Sequence, residues 1–575
     1  MNRSKEEAAH QSITARPAAG GSDFLQLDAG DAPPGGLTEW LAGRLRAAIA
    51  DGRLPVGGRL PATRILAAEL RVSRGVVTDA YRRLSEDGHV AGHGRGGTIV
   101  VAAPVGLMGS LIAAQGPPPS SAPAPAPPAP SLSAPPPPPS PSPSRSASPP
   151  PAAFASASAS PAESLSAGVP SSEVASGLGA ALADVFRLPP AADIFDVLRE
   201  APSRIDLSPG RPDLTVFPRT AWLRAERLVL RDASATDFGY GDPRGTLALR
   251  AAVASWLARN RGIRADPAEV LIVAGTAQAL GLIGQVLGGA GIGEIAVEDP
   301  GSLGLRQHLR HWGLATPPVP VDADGMRVDA LRASGARAAL LTPAHQFPTG
   351  VVLGGQRRRE LMGWAADGGL IVEDDYDAEH RYDRPPVPAL RSMLAERVCY
   401  AGSVSKLLAP ALRVGWVLAP PAYREALVDA KRFADLGNAV LPQLVLARLM
   451  ESGELERQLR LLRRRHRQRR DAMITAIKTQ LPGAVVHGAA AGLHLMITFA
   501  PADSATPQGT TALRPAVPDT ALAAEALARG VTLHPLSWHT QRPHPPGLVL
   551  GYAATTPALI AEGVAILGEV VRELR

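Results

Sequence analysis

Between Ala102 and Ala162 the chain carries one charged residue, Arg145, within a run of Pro, Ala and Ser that includes "PPPSSAPAPAPPAPSLSAPPPPPSPSPS". Such a stretch has no apolar periodicity to bury and nothing to offset the entropy of ordering it, which predicts an extended linker, partly polyproline II. Whatever folds must do so on either side of it. Fully extended at ~3.1 Å per residue, a linker of about 60 residues spans roughly 190 Å; as a flexible coil its ends lie about 40 Å apart. Either figure leaves the flanking units free to choose their arrangement. The predicted organisation is a tail (1–35), a small domain (36–103), the linker with a helical lead-in (104–203) and a large domain (204–575).

A chain of 575 residues is too long for one core and suggests two to four units. The net charge of +6 admits an anionic partner without requiring one. A single cysteine, Cys399, excludes a disulfide framework and a thiolate metal cluster. The N-terminus has no apolar signal region, and no uncharged apolar run reaches the ~18 residues that a membrane helix needs. A soluble, cytoplasmic protein is expected.

The small domain reads in order. Leu37, Leu41, Leu45 and Ile49 recur at helical spacing, and Gly52 with "LPVGG" ends that helix. A second helix follows Leu60-Pro61 at "ATRILAAEL", with apolar Ile65, Leu66 and Leu70. After the short turn "RVS", Ser73 is placed to cap a third helix, "RGVVTDAYRRLSEDG", which Gly88 stops. "HVAGHGRGGTIVV" then gives two short strands around a glycine-rich tip. Three helices with a tight second turn and a β-hairpin make a winged helix-turn-helix. Arg64, Ser73 and Arg74 gather where helix N-termini meet a major groove; Arg82 and Arg83 lie further along, within reach of phosphates. His93 and Arg95, among glycines, suit a wing tip entering a groove. The stretch resembles the GntR family of regulators in "RLPATR", "VSR" and "GRGGT". Gly75-Val76 stands where that family often has Thr-Val, which removes one expected hydroxyl contact to phosphate.

Past residue 204, apolar strands alternate with helices, the pattern of an α/β domain with a mainly parallel sheet. Ligands of such sheets bind beyond the C-terminal strand ends. There lie "VAGTAQ", "VEDPG", "HQFPTG", "VEDDYD" and "GSVSKLLAPALRVGW". Asp374 and Tyr376, two apart on a strand, share a face, while Asp375 points away. Lys406, alone among apolar and small residues, has the setting of an amine with a lowered pKa. Together these parts fit pyridoxal 5'-phosphate. Lys406 would be its Schiff base, Asp374 would hold the pyridine nitrogen and Tyr376 the ring oxygen. Gly275, Thr276, Ala277, Ser403, Ser405 and Arg413 would hold the phosphate.

With "SPGRPDLTVFP" and "YGDPRG", these motifs make the large domain similar to the fold-type I aminotransferases. Joined to a GntR-like head, the chain resembles the MocR subfamily. That resemblance implies a double-stranded DNA operator as partner, a homodimer, and pyridoxal 5'-phosphate as effector or as platform for a small amine or amino acid. On this reading, aldimine formation at Lys406 gates dimer arrangement and operator binding. The alternative is a working aminotransferase with an appended DNA-binding head. Three departures bear on the choice. Ser302 replaces an aromatic able to stack on the cofactor ring. Phe347 replaces the asparagine that holds the ring oxygen, leaving His345 or Gln346 for that task. The last strand, "PPGLVLGYAATTP", lacks the carboxylate-binding arginine, with Arg542 the nearest candidate. The weakened grip on a carboxylate argues against efficient transamination.

Overall fold

A computed structural model of the chain describes residues 27, 29–50, 53–54, 57–92, 97–101, 185–382, 387–499 and 517–574. The N-terminal tail to residue 26, the Pro-rich linker with the lead-in as far as residue 184, and the wing tip with His93 and Arg95 lie outside the described residues.

The head consists of α1 (Leu37–Ala50), α2 (Thr63–Glu69) and α3 (Arg74–Glu86), then β1 (Val90–Gly92) paired antiparallel with β2 (Thr98–Val100). Leu41, Leu45 and Ile49 from α1 meet Leu66, Val77 and Leu84 in one core, all essentially inaccessible. Ile65, counted by sequence with the apolar face of α2, is 47% exposed. The helix is only seven residues long, and Leu66, Ala67 and Leu70 alone turn inward. Ser73 caps α3 by accepting from the Val76 amide at 3.4 Å. Arg71, with φ of 53°, makes the sharp turn between α2 and α3.

The large domain is built on an eight-stranded sheet. In chain order its strands are β3 (Val270–Val273), β4 (Ala296–Asp299), β5 (Pro318–Asp322), β6 (Gly325–Met326), β7 (Ala338–Leu341), β8 (Leu370–Asp375), β9 (Val398–Ser403) and β10 (Gly415–Leu418). Their spatial order is β3-β10-β9-β8-β7-β4-β5-β6. The centre, from β9 through β8, β7 and β4 to β5, is parallel. The edges are antiparallel. At the middle of the sheet, β7, β8 and β9 are largely apolar and buried on both faces, as parallel strands covered on both sides must be. Alternate residues feed different cores: Val372 and Ala401 on one side, Ile371 and Val398 on the other. Cys399 is buried in the first of these. A second, antiparallel sheet includes β11 (His494–Phe499) and β12 (Gly547–Gly551). Phe186, Ile194 and Leu198, upstream of residue 204, pack into the core beside it.

Candidate functional site

Residues beyond the C-terminal ends of β3, β7, β8 and β9 line a cavity of about 800 Å³. Asp374 is the fifth residue of β8, and Tyr376 follows the strand's end; both face the cavity. Asp375, between them, points into the opposite core, where Arg261 Nε and the Tyr400 hydroxyl each reach its Oδ2 at 2.5 Å. The two-residue period of a strand thus gives adjacent aspartates opposite fates. Asp375 is fully paired. Asp374 keeps a buried Oδ1 with no hydrogen-bond partner. Burial, followed by the neighbouring Asp375 and Asp377, pushes the Asp374 carboxyl up to about 7.

Lys406 lies just past β9 and enters the same cavity, its amine donating to the Gly210 carbonyl. Burial pushes that amine below its ordinary value, against the pull of Asp377 and Asp374. Thr276, Ala277, Ser403, Ser405 and Arg413 complete this side. The helix Gly275–Gly289 aims its first turn here, so free amides face the hydroxyls and a guanidinium. Gly275 has φ of +77°, and a Cβ there would fall 3.2 Å from Arg413 Nη1. Glycine is what lets helix and guanidinium approach so closely. Arg413 itself sits in the left-handed region at φ 50° and donates to the Ala274 carbonyl.

The cavity's other wall was invisible to motif reading. Phe195, Leu198 and Arg199 come from the short helix Ile194–Glu200, and His534 and His539 from the C-terminal region. Burial holds both imidazoles well below the ordinary histidine range, so they are neutral. Only the three-dimensional fold brings these distant segments together. Ser302 lines the cavity and spends its hydroxyl capping the helix Leu303–His311. Arg542 is not in the cavity: its Nε donates to Asp299 at 2.8 Å. No cation stands on β12; Val549 there packs with Met496, Leu536 and Phe347. The arginines that do line the cavity, besides Arg413, are Arg199 and Arg211, paired with Asp196 and Asp206.

On the head, Arg64 and Arg74 are exposed in the first turns of α2 and α3. Arg74 Nε lies 3.4 Å from the Thr63 hydroxyl, which joins the two helix starts into one edge with Ser73. Arg82 pairs with Asp79 at 2.8 Å, and Arg83 with Glu39. Both pairs have an exposed partner and are inexpensive to exchange for phosphate contacts.

The two sites define a class: a winged helix-turn-helix joined to a fold-type I aminotransferase domain. Residues 203–565 match the model of aminotransferases of class I and II, and residues 37–100 that of the bacterial regulatory proteins of the gntR family. Along the chain, the probable rhizopine catabolism regulatory protein MocR of Rhizobium meliloti is 28% identical over 529 residues, 91% of each protein. The pyridoxine biosynthesis transcriptional regulator PdxR of Corynebacterium glutamicum is 32% identical over 297 residues, covering 52% of this chain and 64% of that one. Among solved structures, the α-aminoadipate aminotransferase LysN of Thermus thermophilus superposes with a TM-score of 0.57 at 28% identity, over 70% of this chain and 99% of its own. The chain therefore belongs to the MocR subfamily of GntR-type, DNA-binding transcription regulators, with a large domain of the class I and II aminotransferase family. The donor set fits that domain's cofactor, pyridoxal 5'-phosphate: an orphaned buried carboxylate, an amine of lowered pKa and a helix N-terminus flanked by Ser403 and Arg413. Among the described residues no helix is long and apolar enough to cross a membrane.

Proposed function

We propose that the protein is a cytoplasmic, homodimeric regulator in which occupation of the cavity, through Lys406, changes the arrangement of two DNA-binding heads on an operator. The observation that carries this reading is the buried, unpartnered Oδ1 of Asp374 in the same cavity as the Lys406 amine. When bound, pyridoxal 5'-phosphate supplies an aldehyde that condenses with a primary amine. The protein's own groups do the rest. Asp374 would hold the ring nitrogen of that group and so gain the partner its Oδ1 lacks. Thr276, Ala277, Ser403, Ser405 and Arg413 offer donors to a dianion. The imidazole and apolar wall lies across the cavity from Lys406, whose half-buried amine is neutral more often than an exposed lysine's.

A second copy of the chain is supported by exposed apolar groups on neighbouring segments. Leu223 and Leu230 stand out from the helix Arg219–Asp232, and Phe238 and Tyr240 from the loop after it. Phe433 (87% exposed) and Leu436 lie at the end of the helix Pro421–Asp435. The two groups come together, because Gly437 packs against Pro243. Exposed large side chains gathered in this way support an interface there. Two heads so joined would read half-sites ~34 Å apart, or a multiple of that.

The same geometry argues for sensing over turnover: no cation on β12 waits for an amino-acid carboxylate. A small amine or amino acid remains a candidate co-effector at Lys406. The test is a footprint of the purified protein upstream of its own gene, with and without pyridoxal 5'-phosphate, together with steady-state transamination assays. A cofactor-dependent footprint is expected. Turnover of ordinary amino acids at about 1 s⁻¹ or faster would instead establish a working transaminase.

A further inference from the structure

Phe347 leaves the ring-oxygen side of the cavity without an asparagine, and the geometry settles which neighbour is free to act there. Gln346 is committed: its Nε2 donates to the Pro300 and Phe347 carbonyls at 2.8 and 2.6 Å, and its Oε1 accepts from both the Thr349 amide and hydroxyl. His345 is not so spent. Its Nδ1 lies 3.1 Å from the Tyr376 hydroxyl and 3.0 Å from Asp377 Oδ2. A carboxylate only accepts, so Nδ1 carries the proton, and that one N–H is shared between Asp377 and the phenol oxygen. The side chains of His345 and Asp377 are 0% and 1% exposed. The ring lies where Gly492 admits it, since a Cβ at that position would fall 1.8 Å from His345 Cε1. The other ionisable groups facing this cluster are Asp374, Glu298, Lys406 and His494 and, around Asp377, Glu379, His380, Tyr382 and Tyr552. His494, whose Nε2 lies 3.2 Å from the Pro348 carbonyl, is held neutral by burial. The Tyr376 hydroxyl donates to the His345 main-chain carbonyl at 3.2 Å, with the Asp377 carboxylate as a second acceptor beside it. That proton can instead be turned into the cavity.

We propose that His345, oriented by Asp377, is a positioning residue that acts through Tyr376: its Nδ1–H holds the phenol oxygen so that the phenol's own proton points at the ring oxygen of the bound cofactor. This rests on the cofactor reading above and adds to it the group that replaces the missing asparagine. A donor aimed at that oxygen favours its ionised form, which lowers the midpoint of the pH titration of the lysine-linked chromophore.

The experiment is that titration, read by visible absorbance on protein loaded with pyridoxal 5'-phosphate. Tyr376→Phe should raise the midpoint most. His345→Ala and Asp377→Asn should each raise it by roughly 0.5–1 pH unit, a three- to tenfold change in the proton equilibrium, and His345→Gln, which keeps an N–H donor, should recover part of the effect. In the Tyr376→Phe background His345→Ala should add nothing, because a residue that acts through the tyrosine loses its lever with it. An unchanged midpoint in both single variants, or additive shifts in the double variant, would overturn the proposal. So would stoichiometric zinc in the purified protein, held by His345, Asp377 and His494, whose ligand atoms lie within 4.8 Å of one another. Should His345→Ala fail to fold, Asp377→Asn decides. A wild type that stays colourless with the cofactor defeats the cofactor reading itself, whereas a yellow wild type with unmoved variants defeats only this inference.

Discussion

The head and the cofactor cavity are built on opposite plans. The head places Arg64, Ser73 and Arg74 within eleven residues, on helix starts fixed by a local cap and a tight turn, with the charges in solvent. The cavity collects Thr276, Asp374, Lys406 and His539 from across more than 260 residues, burying Asp374 and His539 and leaving Thr276 and Lys406 half-buried. Exposed charges act additively and are screened by salt; buried ones act through desolvation, where the loss of one partner is felt in full. Substitutions in the two regions should therefore differ in size and in what modulates them.

The largest expected effect is Lys406→Ala, which should abolish the visible band of the loaded protein and its response to the cofactor while leaving basal operator binding. A band that persists would break the contrast at its centre. Asp374→Asn comes next. Loss of a charge-assisted hydrogen bond, about 1.5–3 kcal/mol, should weaken cofactor binding by about 10–100-fold in a fluorescence titration. Its effect on the cofactor-free protein should run the other way. The Asp374 carboxyl is raised by burial to about 7, so the folded state takes up a proton that the unfolded state releases above about 4. The stability that protonation lends is present at low pH and is lost as pH rises through 7. Wild type should lose roughly 1–3 kcal/mol more than Asp374→Asn between pH 5 and 8 in urea melts. Equal slopes would show that Asp374 is ionised throughout. On the head, Arg74→Ala should reduce operator affinity by about tenfold, and the salt dependence of wild-type binding should be steep. The smallest effect is expected from Arg82→Ala, whose ion pair with Asp79 is exposed: about threefold or less in affinity, and stability within about 0.5 kcal/mol. A large loss there would mean that Arg82 reads a base rather than a phosphate.

The same contrast explains what the sequence could and could not tell. Helices of the head announce themselves because cap, periodicity and turn lie within one another's reach; Ser73 and Leu41–Leu45–Ile49 needed no tertiary information. Ile65 misled because α2 is too short for periodicity to resolve its face. In the large domain, Asp374 and Tyr376 were legible through strand alternation, and Lys406 through its dry surroundings. His534, His539 and Phe195 were not, since nothing local distinguishes a cavity-lining residue from a core residue. Asp377 lay in plain sight in "EDDYD", yet its role depends on where His345 comes to rest, which only the fold decides. Arg542 was selected for proximity in sequence to the last strand, and in space it belongs to Asp299.

The carboxylate left open on β8 has one more consequence. A group that is costly to bury as a lone anion, and that a ligand relieves, makes the empty protein the weaker of two forms above its pKa of about 7. Proteases that act on transiently opened molecules would then clear ligand-poor copies first. The amount of this protein would follow vitamer supply, before any operator is bound or released.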